Sequence, residues 1–276
     1  DRFQADDPLI DFTMATFAAA ARRAPLALTS ASLLAATLTS AGASTDVMRA
    51  LAMLRVRLGR GRTVWAAVQE DDATYWELYW YNLGPYRELG LADVLAAMGD
   101  LVTVGSWPAN VPDVPEVFSF DFDLATLSGS VPIDHVNLYI GNPTSPVPSG
   151  LSYRCDDSGI SLRNLYHRFD GAEVEAITAQ LACSLHVTDL AAVLWEEMWP
   201  CDSVHVARKS TRDGVYWGGV SIDQLTAFVA RAGGPEGAAA HLAVNRDEMA
   251  HLRFDVGLDL RRGSDRPAKV AIYGVL

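Results

Sequence analysis

Lysine occurs only twice in these 276 residues, as Lys209 and Lys269. Basic residues as a whole are outnumbered, 22 Lys and Arg against 34 Asp and Glu, which gives a formal net charge of −12. That balance disfavours a nucleic-acid or anionic-membrane partner, because both recruit proteins through clustered cations. The one basic run, Arg55–Arg62 (RVRLGRGR), reads as a helix C-terminus whose cations complement the dipole. Cysteine is scarce too: Cys155, Cys183 and Cys201 are odd in number and widely spaced, which suits a reducing cytoplasm. No apolar run is long enough to span a membrane, since Arg22, Arg23 and Pro25 interrupt Ala15–Ala41. The basic-then-apolar order of a secretory signal is missing as well. There is no Walker A loop, no G-x-G-x-x-G and no H-E-x-x-H, so the chemistries those motifs announce have no support.

What the chain does have is five β-hairpins. They read as Thr63–Gln69 with Thr74–Leu83, Val117–Leu124 with Asp134–Ile140, Leu151–Asp156 with Ile160–Phe169, Ser203–Lys209 with Val215–Ser221, and His251–Leu260 with Lys269–Val275. Turn-formers such as Asp157-Ser158-Gly159 and Arg212-Asp213-Gly214 separate the paired strands. Each second strand carries a tyrosine: Tyr79, Tyr139, Tyr166, Tyr216 and Tyr273. Glu77-Leu78-Tyr79, Asn137-Leu138-Tyr139 and Asn164-Leu165-Tyr166 repeat a local pattern, so a ββα unit used about five times is the simplest account. Helices are expected at Pro85–Asp100, Gly171–Leu185, Thr188–Trp199, Ile222–Ala232 and Pro235–Met249, while Asn142–Gly150 joins the second and third hairpins directly. Ahead of the repeats, Leu9–Arg23 and Ser30–Thr39 read as helices. Residues 1–44 are therefore expected to be an N-terminal helical extension and residues 45–276 a single barrel domain.

Alternation assigns the faces, except in the third hairpin, where Asn164, Tyr166 and Arg168 oppose Arg163, Leu165 and His167 and the assignment is ambiguous. His251, Arg253, Asp255, Gly257 and Asp259 share one side of their strand, and Leu252, Phe254, Val256, Leu258 and Leu260 share the other. Helices packed on the leucine side turn the polar side away. Some ten strands must then close or leave raw edges, and a closed ten-strand barrel with a polar lining encloses a cavity rather than a solid core. The expected fold class is thus α+β: a ten-stranded antiparallel barrel of ββα units surrounded by helices. Its lining includes Glu77, Tyr79, Asp121, Asp123, His135, Tyr139, Arg154 and Lys209, with Lys269 and Tyr273 on the closing strand.

This architecture and lining resemble the aromatic prenyltransferases of the ABBA, or PT-barrel, family, over about Thr45 to Leu276 and by pattern rather than by a signature string. The resemblance implies a cytoplasmic transferase of secondary metabolism that moves a prenyl group from an allylic diphosphate to an electron-rich acceptor. It makes Arg154, Lys209, Arg253 and Lys269 the diphosphate ligands, and Tyr79, Tyr139, Tyr166, Tyr216 and Tyr273 a shield around the allyl cation.

The chemistry can also be argued from the residues. A diphosphate needs converging donors, which Arg and Lys supply. That both lysines fall on the inner face, with Arg154 and Arg253, is the compositional signal. Aromatic faces stabilise a cation by roughly 0.5–2 kcal/mol each, more when water is excluded. Glu77, Asp121 and Asp255 are the candidate acids to orient the acceptor and take its proton. An aromatic ring, a guanidinium group and a peptide side chain are all admissible acceptors. No cofactor is required, although Mg2+ bridging the diphosphate to Asp121 or Asp123 fits the lining. The histidines, His135, His167, His205 and His251 among them, read as lining or core residues rather than metal ligands. The competing expectation is a non-catalytic α+β scaffold that binds a small molecule or a protein. A hydrolase or isomerase using the same carboxylates has no motif behind it.

Overall fold

The computed structural model describes residues 2, 10–13, 16–19, 27–82, 89–99, 102–111, 116–142, 145, 147–264 and 266–276. Ten strands close into one barrel: β3 (Val64–Glu70), β4 (Ala73–Tyr81), β5 (Val117–Phe122), β6 (His135–Gly141), β7 (Ser149–Asp156), β8 (Gly159–Asp170), β9 (Ser203–Lys209), β10 (Asp213–Ser221), β11 (Arg253–Leu260) and β12 (Lys269–Val275). Apart from the closing pair every neighbour is the next strand in sequence, all pairs are antiparallel, and β12 closes on β3 from Lys269↔Glu70 to Val275↔Val64. Closure removes the open edges that ten strands would otherwise expose.

The alternation in the sequence decides which side faces the helices. Trp76, Leu78 and Trp80 of β4 and Phe118, Phe120 and Phe122 of β5 all point outward and are buried. Trp80 stacks on Phe118 with centroids 5.7 Å apart, and Trp107 from a short 3-10 turn joins Phe120 at 5.7 Å. Each such side chain contributes on the order of 1.5–3 kcal/mol by leaving water. The mantle that buries them consists, among the described residues, of α1 (Ala31–Ser40), α2 (Thr45–Leu58), α3 (Leu91–Met98), α4 (Leu124–Leu127), α5 (Val174–Ala182), α6 (Ile222–Ala232) and α7 (Ala238–Asn245). α2 ends with Arg55 and Arg57 in its last turn, as the dipole favours. α6 opens on a capping box between Ser221 and Gln224.

Several sequence expectations are corrected. Leu9–Arg23 is not a helix where it is described: β1 (Ile10–Thr13) and β2 (Thr16–Ala19) pair as a small hairpin, Phe12 opposite Phe17. Aromatic and β-branched residues beside the turn favour strands over the helix that the alanines suggest. The adjoining helix, expected over Ser30–Thr39, is α1. Thr188–Trp199 forms two 3-10 turns, Leu190–Ala192 and Glu196–Met198, instead of a helix. Its Trp195 is held against Trp217 (5.9 Å) and Phe228 (5.7 Å), and that tertiary packing overrides helix propensity. Of Pro85–Asp100, the part from Leu91 to Met98 is helical, and residues 85–88 and 100 lie outside the described residues.

The third hairpin, whose faces the alternation left ambiguous, is resolved by a β-bulge. Register shifts between Ser152 and Tyr153 of β7, so that Ser152 faces Asn164 while Tyr153 faces Leu162, and Arg163 is the extra residue. Tyr166 and Arg154 are thereby both kept on the inner face.

Candidate functional site

Inside the barrel lies a cavity of about 1120 Å³. Small residues make the room: Ala66, Ala207 and Ala271 occupy inner positions among the tyrosines. At Gly257 of β11 a Cβ would sit 2.1 Å from Tyr216 Cδ1, so only glycine lets that ring lie against the wall.

All five sequence-predicted tyrosines meet there in a closed ring. Centroid separations run 5.8 Å from Tyr79 to Tyr139, 6.4 Å to Tyr166, 6.5 Å to Tyr216, 6.4 Å to Tyr273 and 6.0 Å back to Tyr79. A cation on the axis of a regular pentagon of that size would be about 5 Å from each centroid, inside the roughly 6 Å reach of a cation–π attraction. Register explains the closure. Each tyrosine-bearing strand is offset by two residues from the next, and five such offsets in ten tilted strands bring the tyrosines to one level. Burial raises the pKa of all five phenols, Tyr166 to about 12, so the ring is neutral at physiological pH.

On one side of the ring is a layer of paired charges. Lys209 Nζ lies 2.6 Å from Asp259 Oδ2 and 2.8 Å from the Tyr216 hydroxyl, which donates to Asp259 Oδ1 at 2.9 Å. Lys269 Nζ donates to Glu77 Oε1 at 2.7 Å, and Tyr79 donates to the other Glu77 oxygen. Arg212 bridges Glu70 and, at 3.0 Å, Asp259. Burial alone would neutralise these groups; the surrounding cations nevertheless hold Asp259 below its usual range, and Arg212 does the same for Glu70. Burial lowers Lys209 despite Asp259, whereas at Lys269 burial is outweighed only by the Glu77 carboxylate and the Tyr75, Tyr273 and Tyr216 phenols together, which raise it.

Arg154 also lines the cavity, bonded to Asp156 at 3.0 Å and to Asp134 at 3.2 Å. Asp121 accepts from His135 Nε2 at 3.0 Å and from Asn137 at 2.9 Å. Burial opposes charge on His135, but Asp121 and Asp134 prevail and raise its pKa.

Three expected residues, Arg253, Asp255 and Asp123, are not brought to the others. Arg253 is exposed at the far end of β11, six residues from Asp259 and so about 20 Å along the strand. The alternation gave it the correct face but could not give its depth. Asp255 is fully buried and accepts from the Gly219 backbone N–H at 2.8 Å, stabilising the β10 bulge between Trp217 and Val220. Asp123 is spent as the N-cap of α4, accepting from Thr126 N at 2.8 Å. Among the described residues no group of three or more His, Cys, Asp or Glu side chains is placed to hold a metal ion.

Arg212 was missed because it sits in the β9–β10 turn, where alternation assigns no face. Arg163 was missed because the bulge changes its parity. Both line the cavity.

A closed ten-stranded antiparallel barrel, hollow and ringed by helices, is a PT-barrel fold. No protein-family model matches the sequence, and no curated protein does. Among solved structures, a binary complex of PriB with product diphosphate aligns with a TM-score of 0.49 and 11% identity over 90% of this chain and 96% of that one. The prenyltransferase PriB in a ternary complex with L-tryptophan and dimethylallyl thiolodiphosphate gives 0.48 and 10% over 89% and 94%, and its apo form gives 0.47 and 10% over the same shares.

Proposed function

We propose that the chain is a prenyltransferase acting on an allylic diphosphate. The observation that carries this reading is the closed tyrosine ring, bordered on one side by Lys209, Arg212 and Lys269. Those cations, with Arg154 and Arg163, would hold the diphosphate and leave the allyl group hanging into the ring. The C1–O bond then breaks with its electron pair going to the diphosphate. The allyl cation meets five aromatic faces and little water, which stabilises it and suppresses hydrolysis. A nucleophilic carbon of the acceptor bonds to C1 and loses a proton to a carboxylate, for which Glu77 and Asp121 line the cavity. Residues at the cavity present donors suited to a diphosphate without a metal, and Asp121 remains the acid best placed to share one.

A second reading has an observation of its own. Lys209, Arg212 and Lys269 are already matched by Asp259, Glu70 and Glu77, so this layer sums to no net charge. A barrel that binds an uncharged ligand would look the same there.

Thermal shift with dimethylallyl and geranyl diphosphates, against inorganic phosphate, separates the two. A transferase is stabilised by the allylic compounds and loses that response in Lys209→Ala. No shift with either prenyl diphosphate favours the binding scaffold.

A further inference from the structure

The three carboxylates that match Lys209, Arg212 and Lys269 are not held alike. Asp259 and Glu77 lie deep in the barrel, their side chains 0% and 7% exposed. Each is shared by a lysine and a tyrosine hydroxyl: Asp259 by Lys209 and Tyr216, Glu77 by Lys269 and Tyr79. Glu70 is placed differently. It is the last residue of β3, directly before the Asp71-Asp72 turn, and its side chain is 26% exposed. Its carboxylate reaches past β12 and β11 to Arg212 in the β9–β10 turn, whose Nη1 donates to Oε1, and the Tyr75 hydroxyl donates to Oε2 at 2.9 Å. Burial opposes charge on Glu70, and Arg212 holds it ionised.

A diphosphate entering this layer brings several negative charges against three carboxylates, at a depth where water screens little. The layer becomes an anion site only if a carboxylate gives way. Withdrawing Asp259 or Glu77 would leave a buried charge without its partner, the costliest arrangement an ion pair can reach. Glu70 alone of the three borders solvent, so rotation about its own side-chain torsions takes its carboxylate to water while β3 stays in place. Its departure frees the Tyr75 hydroxyl and one arm of Arg212. The Arg212 Nε remains 3.0 Å from Asp259, which keeps the guanidinium aimed into the cavity.

We propose that Glu70 is a displaceable counter-ion, which pairs with Arg212 while the barrel is empty and yields it to the diphosphate of the donor. Resting on the transferase reading, this makes Glu70 a determinant of donor affinity although it offers the donor no hydrogen bond. It competes with the phosphate oxygens for the same guanidinium, and it spares Arg212 an unpaired state between turnovers.

The test needs neither acceptor nor turnover. Inorganic pyrophosphate is titrated calorimetrically into wild type, Glu70→Gln, Arg212→Gln, the Glu70→Gln/Arg212→Gln double variant and Asp71→Asn. Asp71 is the next residue along and is bonded to Arg261 at 2.8 and 2.9 Å, so its variant removes an equal charge from the same mouth without touching Arg212. Glu70→Gln should bind about tenfold more tightly than wild type, as expected when a competing charge-assisted hydrogen bond is removed. The gain should be absent when Arg212→Gln is the background, and Asp71→Asn should stay near wild type. In crystals of the wild type with pyrophosphate, the Glu70 carboxylate should have left Arg212.

The proposal is overturned if Glu70→Gln binds no more tightly, if the gain persists without Arg212, or if Asp71→Asn shows the same gain. Lowered melting of Glu70→Gln with unchanged affinity also overturns it, since the pair would then be structural alone. So does pyrophosphate bound by neither wild type nor Glu70→Gln. The transferase reading is judged apart, by the thermal response to allylic diphosphates and by prenyl transfer itself. A tighter Glu70→Gln without either leaves an anion-binding barrel with the same counter-ion.

Discussion

Lys269 and Glu77 are 192 positions apart in sequence, yet the lysine Nζ lies 2.7 Å from Glu77 Oε1 inside the barrel. Both side chains are buried, so each is the other's compensation for lost water. Closure of β12 on β3 makes the contact, with β3 next to the strand that bears Glu77.

Breaking one partner should therefore be costly. Glu77→Gln leaves Lys269 without its counter-charge and is expected to lose about 3–5 kcal/mol of stability, while replacing both by apolar residues costs much less. Denaturant unfolding of Glu77→Leu, Lys269→Met and the Glu77→Leu/Lys269→Met double closes the cycle. A near-additive double variant would show that the pair is not coupled.

The tyrosine ring should govern the fate of the cation. Opening it in Tyr273→Ala or Tyr139→Ala is expected to divert donor into prenyl alcohol, read as the ratio of alcohol to prenylated acceptor by chromatography. Phenylalanine at either position keeps the aromatic face and should leave the ratio near that of wild type. Tyr216→Phe should do more, because the hydroxyl joins Lys209 to Asp259.

Gly257→Ala tests how closely the ring is seated. The added methyl meets Tyr216 and is expected to cost about 1–3 kcal/mol by overpacking. Calorimetric melting gives the stability, and tyrosine fluorescence or a crystal structure shows whether Tyr216 has moved. Unaltered melting would mean that the wall yields more than its packing implies.

The histidines give opposite pH dependences. His205 titrates near 4 when folded and near 6.5 when unfolded, so the unfolded chain binds more protons between those values. Its contribution is present above about pH 6.5 and is lost as pH falls toward 4. His135 has a raised pKa, so its contribution is present at low pH and is lost as pH rises through the folded value. Melting temperatures from pH 4 to 8 for His205→Gln and His135→Gln should flatten the two limbs separately. A wild-type acid limb retained in His205→Gln would assign it to carboxylates instead.

Much of this site was legible in the chain because strand alternation has a period of two. Tyr79, Tyr139, Tyr216 and Tyr273 fall on inner faces by parity alone, whereas Tyr166 lies on a strand whose parity was ambiguous until the β7–β8 bulge settled it, and the scarcity of lysine made Lys209 and Lys269 conspicuous. Parity reports side and not depth, which is why Arg253 was grouped with cations about 20 Å away along its strand. It also says nothing in a turn or a bulge, where Arg212 and Arg163 lie. The helix expected at Thr188–Trp199 failed for a similar reason, since Trp195 is fixed by Trp217 and Phe228, which are distant in sequence.

The sequence by itself determined the five hairpins, the faces of the strands outside the third hairpin and the placing of one tyrosine in each hairpin, because those follow from local alternation and turn chemistry. Only the closed barrel decided that the tyrosines form a single ring and that each lysine is matched by a carboxylate. Those relations depend on how far each strand slides past its neighbour, a quantity fixed by closing all ten together and by no one segment.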